Sequence, residues 1–190
     1  MAADAAPDGV GIVCDGKGWS YAELYEAAKG AAALIRQSGC AYVALLDESS
    51  EAAAIALFGA AMAGVPYVPL NYRLADADLA ALLERIAPAL VVGDLDRVEL
   101  LSPDGGHHVY GRADFVAAAC ATHEPDFEEA DGEGIAIQLF TSGTTAAPKA
   151  AILKHSNLLS YILGTVEFAS ASPDGAALVM GALREDSQDN

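Results

Sequence analysis

The stretch from Ile135 to Lys149 constrains this chain more than any other. It runs Ile135-Ala136-Ile137-Gln138-Leu139-Phe140, then Thr141-Ser142-Gly143-Thr144-Thr145, then Ala146-Ala147-Pro148-Lys149. An apolar run stops abruptly in five small residues, four of them hydroxylic, and a second apolar run follows Lys149. Ile135, Ile137 and Leu139 alternate with Ala136, Gln138 and Phe140, which predicts a mostly buried strand. Thr141 to Thr145 continue it poorly, because Gly143 loosens the backbone and the hydroxyls offer local hydrogen bonds. Such a turn can aim several backbone N–H groups at one anion, and hydroxyls and a lysine add to the cradle. The same residue types also suit a polar hairpin with a solvated lysine. The spacing is not that of a Walker loop, since Pro148-Lys149-Ala150 stands where Gly-Lys-Ser/Thr would be required.

Upstream, helix and strand signals alternate. Val10 to Cys14 reads as a short strand and Asp15-Gly16-Lys17-Gly18 as a turn. Ser20 stands three residues before Glu23, the spacing of a capping box. Leu24, Ala28, Ala31 and Ile35 then recur at helical spacing, so residues 21–37 are expected to be helical, closed by Gly39. Tyr42 to Leu46 reads as a buried strand. Ser50 opens a second helix running to about Ala63, and Val65 to Leu70 is extended. Asp76 starts a third helix with Leu79, Leu82, Leu83 and Ile86 at i, i+3, i+4 and i+7. Pro88 stops it, and Ala89 to Val92 forms another strand. Residues 94–110 read as an irregular charged excursion, Ala113 to Cys120 as a short helix, and Thr122 to Gly134 as an acidic linker. Leu159, Ile162, Leu163 and Val166 mark the core face of a last helix. This alternation predicts an α/β fold, with a layered, largely parallel sheet flanked by helices.

Composition excludes some functions. Ten basic against 27 acidic residues give a formal charge of −17, which argues against sequence-independent binding to nucleic acid. An anionic small molecule remains compatible, because a local loop and one lysine can oppose the global field. Three isolated cysteines, Cys14, Cys40 and Cys120, include no Cys-x-x-Cys pair and suit a reduced, cytoplasmic setting. The adjacent His107 and His108 sit in a Gly-rich turn and read as solvated rather than metal-binding. No signal peptide is visible at the N-terminus. Ala52 to Tyr72 carries no charge, but Gly64, Pro66 and Pro69 break it, so a buried helix and a buried segment fit better than a membrane span.

Thr-Ser-Gly-Thr-Thr-x-x-Pro-Lys, followed by Lys154-His155-Ser156-Asn157-Leu158, resembles the phosphate-loop signature of the adenylate-forming (AMP-binding) superfamily, which includes acyl-CoA synthetases and peptide-synthetase adenylation domains. Two further segments are similar to that family in matching order: Trp19-Ser20-Tyr21-Ala22-Glu23-Leu24 at the start of the first helix, and Gly64-Val65-Pro66-Tyr67-Val68-Pro69-Leu70-Asn71-Tyr72-Arg73-Leu74. The resemblance covers roughly residues 10–180. It implies the first part of the large N-terminal domain of an acyl-CoA synthetase-like enzyme, with residues 1–9 a loose leader and 181–190 a polar tail.

The resemblance also implies roles. Thr141, Ser142, Gly143, Thr144 and Thr145 would cover the phosphates of ATP, with the Thr144 hydroxyl meeting Mg²⁺. Lys149 would be the catalytic cation beside the β- and γ-phosphates, and Pro148 would fix the loop exit. A small carboxylic acid and CoA would be the other substrates of the complete enzyme. Lys154 and His155 could approach the nucleotide or lie at the surface. Where the family commonly has glycine this chain has Ala146 and Ala150. Alanine resists positive φ by about 1 kcal/mol, so negative φ is expected at both. Family members are much longer and carry later motifs for adenine, ribose and the acid that do not occur here. A truncated member is therefore expected, inactive alone, with apolar edges left exposed. A peptide-synthetase adenylation segment and a non-catalytic nucleotide-binding protein are the alternatives.

Overall fold

The computed structural model describes residues 2–123, 132–141 and 149–165. A one-turn helix α1 (Ala2–Ala5) precedes a small antiparallel hairpin of β1 (Val10–Cys14) and β2 (Lys17–Ser20). The N-terminal residues, expected as a loose leader, are tied down: Tyr21 donates its N–H to Gly9 O and Ala22 to Pro7 O. The hairpin turns on Asp15 and Gly16, both at positive φ (50° and 78°). That is the backbone of a two-residue turn matching strand twist, which Asp-Gly favours. The reading of residues 15–18 as one turn was too long, because Lys17 already begins β2 and lays its ammonium 4.2 Å over the Trp19 ring.

Helix α2 (Tyr21–Ser38) starts as the capping box predicts: Ser20 Oγ accepts from Glu23 N at 3.2 Å, and Ser20 N donates to Glu23 Oε2 at 2.8 Å. Those bonds hold the Glu23 carboxyl below its usual range. Then follow β3 (Tyr42–Leu46), α3 (Glu51–Ala63), β4 (Tyr67–Pro69), α4 (Asp76–Arg85), β5 (Ala89–Gly93), α5 (Leu95–Leu101), β6 (His108–Tyr110), α6 (Arg112–Ala121), β7 (Ile135–Thr141), β8 (Lys149–Lys154) and α7 (His155–Thr165). The main sheet runs β6-β5-β3-β4-β7-β8, parallel except for β8. One face packs on α2, α3 and α6, with Ile35, Ile55, Leu90 and Phe115 in its core. The other packs on α4 and α5, through Leu79, Leu82, Leu83 and Val98. No described helix is long and apolar enough to cross a membrane.

Three further expectations are corrected. Residues 94–110 are not an irregular excursion but α5 and β6. Asp94 caps α5 by accepting from Arg97 N at 2.8 Å, and β6 extends the parallel sheet beside β5. A seven-residue helix and a three-residue strand are too short to leave a periodic signal. Strand β7 is not mostly buried: Ala136 alone is buried, because β7 joins the sheet by the single pair Tyr67↔Ile137 and β8 outside it is largely open. The expected core face of α7 stands exposed at Leu159, Ile162 and Leu163 (57%, 52% and 54%). Periodicity identifies an apolar stripe but not the element that covers it. Val166 lies outside the described residues, as does most of the acidic linker.

Candidate functional site

Strands β7 and β8 form an antiparallel hairpin whose register sets the base of the signature loop. Thr141 pairs with Lys149, Phe140 with Ala150 and Leu139 with Ala151. Thr141 Oγ1 donates to Lys149 O at 3.4 Å, so the two described site residues meet at the hairpin mouth, and both are exposed. The hairpin is anchored at its far end. His155 N donates to Gly134 O, Ser156 N to Gly132 O, and Lys154 Nζ pairs with Glu133 Oε2 at 2.7 Å. The Lys154 ammonium is thus held at the foot of the hairpin, away from Thr141 and Lys149. Behind the mouth, the Arg85 guanidinium lies 4.8 Å over the Phe140 ring. Ala150 avoids positive φ, as expected for alanine in a strand. Ser142, Gly143, Thr144, Thr145, Ala146 and Pro148 lie outside the described residues. The described pair places a threonine side chain and an exposed lysine at the closed base of the hairpin.

A second concentration of polar groups lies at the carboxyl ends of the parallel strands. Chain connections diverge there, since β3 leads to β4 on one side and β5 to β6 on the other. In open α/β sheets this switch point is the usual ligand crevice. A cleft of about 530 Å³ opens there, lined by Asp47, Glu48, Tyr72, Asp94, Arg97 and Arg112 among others. Asp47 and Arg112 are clasped by two parallel bonds, Nε to Oδ2 at 2.9 Å and Nη2 to Oδ1 at 2.7 Å. The fork holds the Asp47 carboxyl below its ordinary range and raises Arg112 further, outweighing the opposing effect of burial on both. Arg97 donates to Tyr72 O at 3.0 Å and to Asp76 Oδ1 at 3.1 Å. Tyr72 donates its hydroxyl to Glu48 Oε1 at 3.4 Å and accepts from Arg73 Nε at 3.1 Å. These guanidinium groups already have carboxylate, carbonyl or hydroxyl partners, so the crevice is a braced wall rather than an open cationic seat.

The sequence reading missed Asp47, Arg97 and Arg112. Asp47 follows a strand that was found, but Arg112 follows β6, which was not. His107 also departs from expectation. It is half-buried, its Nδ1 accepts from Ala89 N at 3.2 Å, and its Nε2 lies 3.2 Å from Ser102 Oγ. Burial lowers its pKa. His108, on β6, is exposed as read. Among the described residues no group of three His, Cys, Asp or Glu side chains is arranged to hold a metal ion.

The comparisons with known proteins converge. The sequence matches the family described as "AMP-binding enzyme" over residues 1–182. It is 28% identical over 191 aligned residues to the medium/long-chain-fatty-acid–CoA/3-oxocholest-4-en-26-oate–CoA ligase of Mycobacterium tuberculosis, covering 89% of this chain and 35% of that one. It is also 28% identical to D-lysergyl-peptide-synthetase subunit 2 of Claviceps purpurea, over 78% of this chain and 12% of that one. ATP-bound MatB from Rhodopseudomonas palustris shares the fold with a TM-score of 0.68 and 29% identity, covering 78% of this chain and 32% of that one. The chain thus spans about a third of the length of the ligase relative it matches.

Proposed function

We propose, for a chain that belongs to the AMP-binding enzyme family, that it supplies the phosphate-holding wall of an ATP-dependent acid–CoA ligase. The carrying observation is the β7–β8 hairpin, which sets Thr141 opposite Lys149 at the base of the Thr-Ser-Gly-Thr-Thr loop. In this reading Thr141, Ser142, Gly143, Thr144 and Thr145 hold the phosphates of ATP through hydroxyls and backbone N–H groups. Lys149 opposes the charge that builds on the β- and γ-phosphates as pyrophosphate leaves, the electrostatic help such a transfer needs most. Pro148, with its fixed φ, sets the angle at which the chain re-enters β8. Mg²⁺, met by the Thr144 hydroxyl, would supply further charge neutralisation. The acid attacks the α-phosphorus and pyrophosphate leaves, giving an acyl-adenylate; the CoA thiol then takes the acyl group as a thioester and AMP leaves. The family relation and the ligase match support this reading, and three free cysteines suit a reducing cytoplasm.

The match to a peptide synthetase at equal identity favours a second reading, in which the activated acid is an amino acid and the acceptor a carrier thiol. A third is nucleotide binding without turnover. The separating experiment has two parts. Alone, the 190-residue chain is expected to show no carboxylate-dependent exchange between ATP and pyrophosphate; robust exchange would refute the view that it forms one wall only. Grafted in place of the matching third of the M. tuberculosis ligase, it is expected to support fatty-acid-dependent exchange that Lys149→Ala removes. A folded graft that binds ATP without exchange points to the third reading.

A further inference from the structure

The mouth of the β7–β8 hairpin, which carries Thr141 and Lys149, is lightly fastened to the rest of the fold. Strand β7 joins the parallel sheet by the single pair Tyr67↔Ile137, short of the mouth. The backbone anchors at His155 and Ser156 hold the opposite end. Next to Thr141 stands Phe140. It is half-buried and packs against the core cluster that holds Leu79, Leu82, Leu83 and Ile86. Its partner across the hairpin is Ala150, too small to cover the ring. Arg85, in the last turn of α4, covers it instead, with its guanidinium 4.8 Å from the ring centroid. A cation within about 6 Å of a ring face is attracted to it, and the arginine stem adds apolar cover.

Successive side chains along a strand turn to opposite faces, and residues directly paired across two strands share a face. Thr141 and Lys149 are such a pair, so their side chains share one face of the hairpin, and Phe140 with Arg85 lies on the other. Arg85 thus stands behind the two site residues rather than among them. It links α4, which is packed on the sheet through Leu79, Leu82 and Leu83, to the residue that precedes Thr141. Holding groups in place before a ligand arrives removes the entropic cost of ordering them on binding.

We infer that Arg85 is a positioning residue of the phosphate site: by clamping Phe140 it fixes the hairpin mouth and holds Thr141 and Lys149 ready for an anion. This role rests on the phosphate reading of the mouth, whereas the clamp itself is a property of the fold, so the two are measured separately. The full chain is titrated with tripolyphosphate, and amide hydrogen exchange is followed by NMR at Phe140, Thr141, Lys149, Ala150 and Ala151. Arg85→Ala should weaken tripolyphosphate about two- to fivefold and speed exchange at those amides, the effect of one exposed cation–π contact. Arg85→Lys keeps a cation over the ring and should restore both. Phe140→Leu should weaken binding similarly. The Arg85→Ala/Phe140→Leu double variant should be no weaker than either single one, since both remove the same contact. Unchanged exchange in Arg85→Ala overturns the clamp. Faster exchange with unchanged affinity overturns the positioning role. Losses that add in the double variant also overturn it, because Arg85 then meets the phosphate itself. A parent chain that binds no tripolyphosphate overturns the phosphate reading and this role with it, while exchange in Arg85→Ala still decides the clamp.

Discussion

Replacing Arg112 by alanine cuts the fork that joins the end of β3 to the start of α6, leaving Asp47 with the N–H of Glu48 at 2.7 Å as its remaining bond. Breaking a fully buried pair costs about 3–5 kcal/mol, whereas exposed pairs contribute about 0–1 kcal/mol. The side chains here are 22% exposed at Asp47 and 35% at Arg112, which places the fork between those limits. Solvent screens the more open arginine, so we take about 1.5–2 kcal/mol. For a chain of this size that is a fall in Tm of about 4–6 °C. The acid limb provides an independent check. The Asp47 carboxyl sits below its ordinary value of 3.8 in the folded state. A depressed carboxylate contributes stability that is present above its unfolded pKa and is lost as pH falls through the folded one. The parent should therefore lose stability below about pH 4, with a steeper slope than Arg112→Ala or Asp47→Asn. Thermal melts by circular dichroism across the acid range read both quantities. A Tm within about 1 °C of the parent at neutral pH, with an unchanged acid slope, would refute the assignment of an intermediate-strength brace.

Other predictions concern packing and exposure. Gly30→Ala should destabilise despite the better helix propensity of alanine. The added Cβ would stand 1.9 Å from Ala119 O and 2.6 Å from Thr122 O, backbone atoms that yield only if α2 and α6 part. A net loss of about 2 kcal/mol is expected in urea melts, and a gain would contradict the close α2–α6 approach. Leu159→Asp on α7 should leave Tm nearly unchanged and raise the concentration at which the isolated chain aggregates, because that side chain is 57% exposed. A cooperative loss of folding would show that the stripe is covered.

The sequence disclosed those parts of the fold whose causes are local. Ser20 and Glu23 announce α2 because both halves of the capping box lie within four residues. Leu79, Leu82 and Leu83 announce α4 because a helix repeats its buried face every turn. Tyr42 to Leu46 is apolar throughout because a parallel strand is covered on both sides. What stayed hidden depends on distance or on neighbours. Asp47 and Arg112 are 65 residues apart and meet only because β3, β5 and β6 end side by side. Residues 95–110 carry elements too short for periodicity. Leu159 and Ile162 show the reverse case, an apolar pattern read as core on a helix that stands open. At the site, the phosphate reading of Thr141 to Lys149 rests on the order of those residues. The hairpin register adds the pairing of its two ends, which spacing alone leaves open.

The central claim is that the mouth of the β7–β8 hairpin holds phosphate. Competition binding tests it most directly: ATP, tripolyphosphate and adenosine titrated against the chain and its Lys149→Ala variant. The account predicts that ATP and tripolyphosphate compete for one site, that adenosine does not, and that Lys149→Ala weakens both phosphates about tenfold, as expected for losing a charge-assisted bond. Adenosine binding as tightly as ATP, or an unchanged affinity in Lys149→Ala, would contradict it.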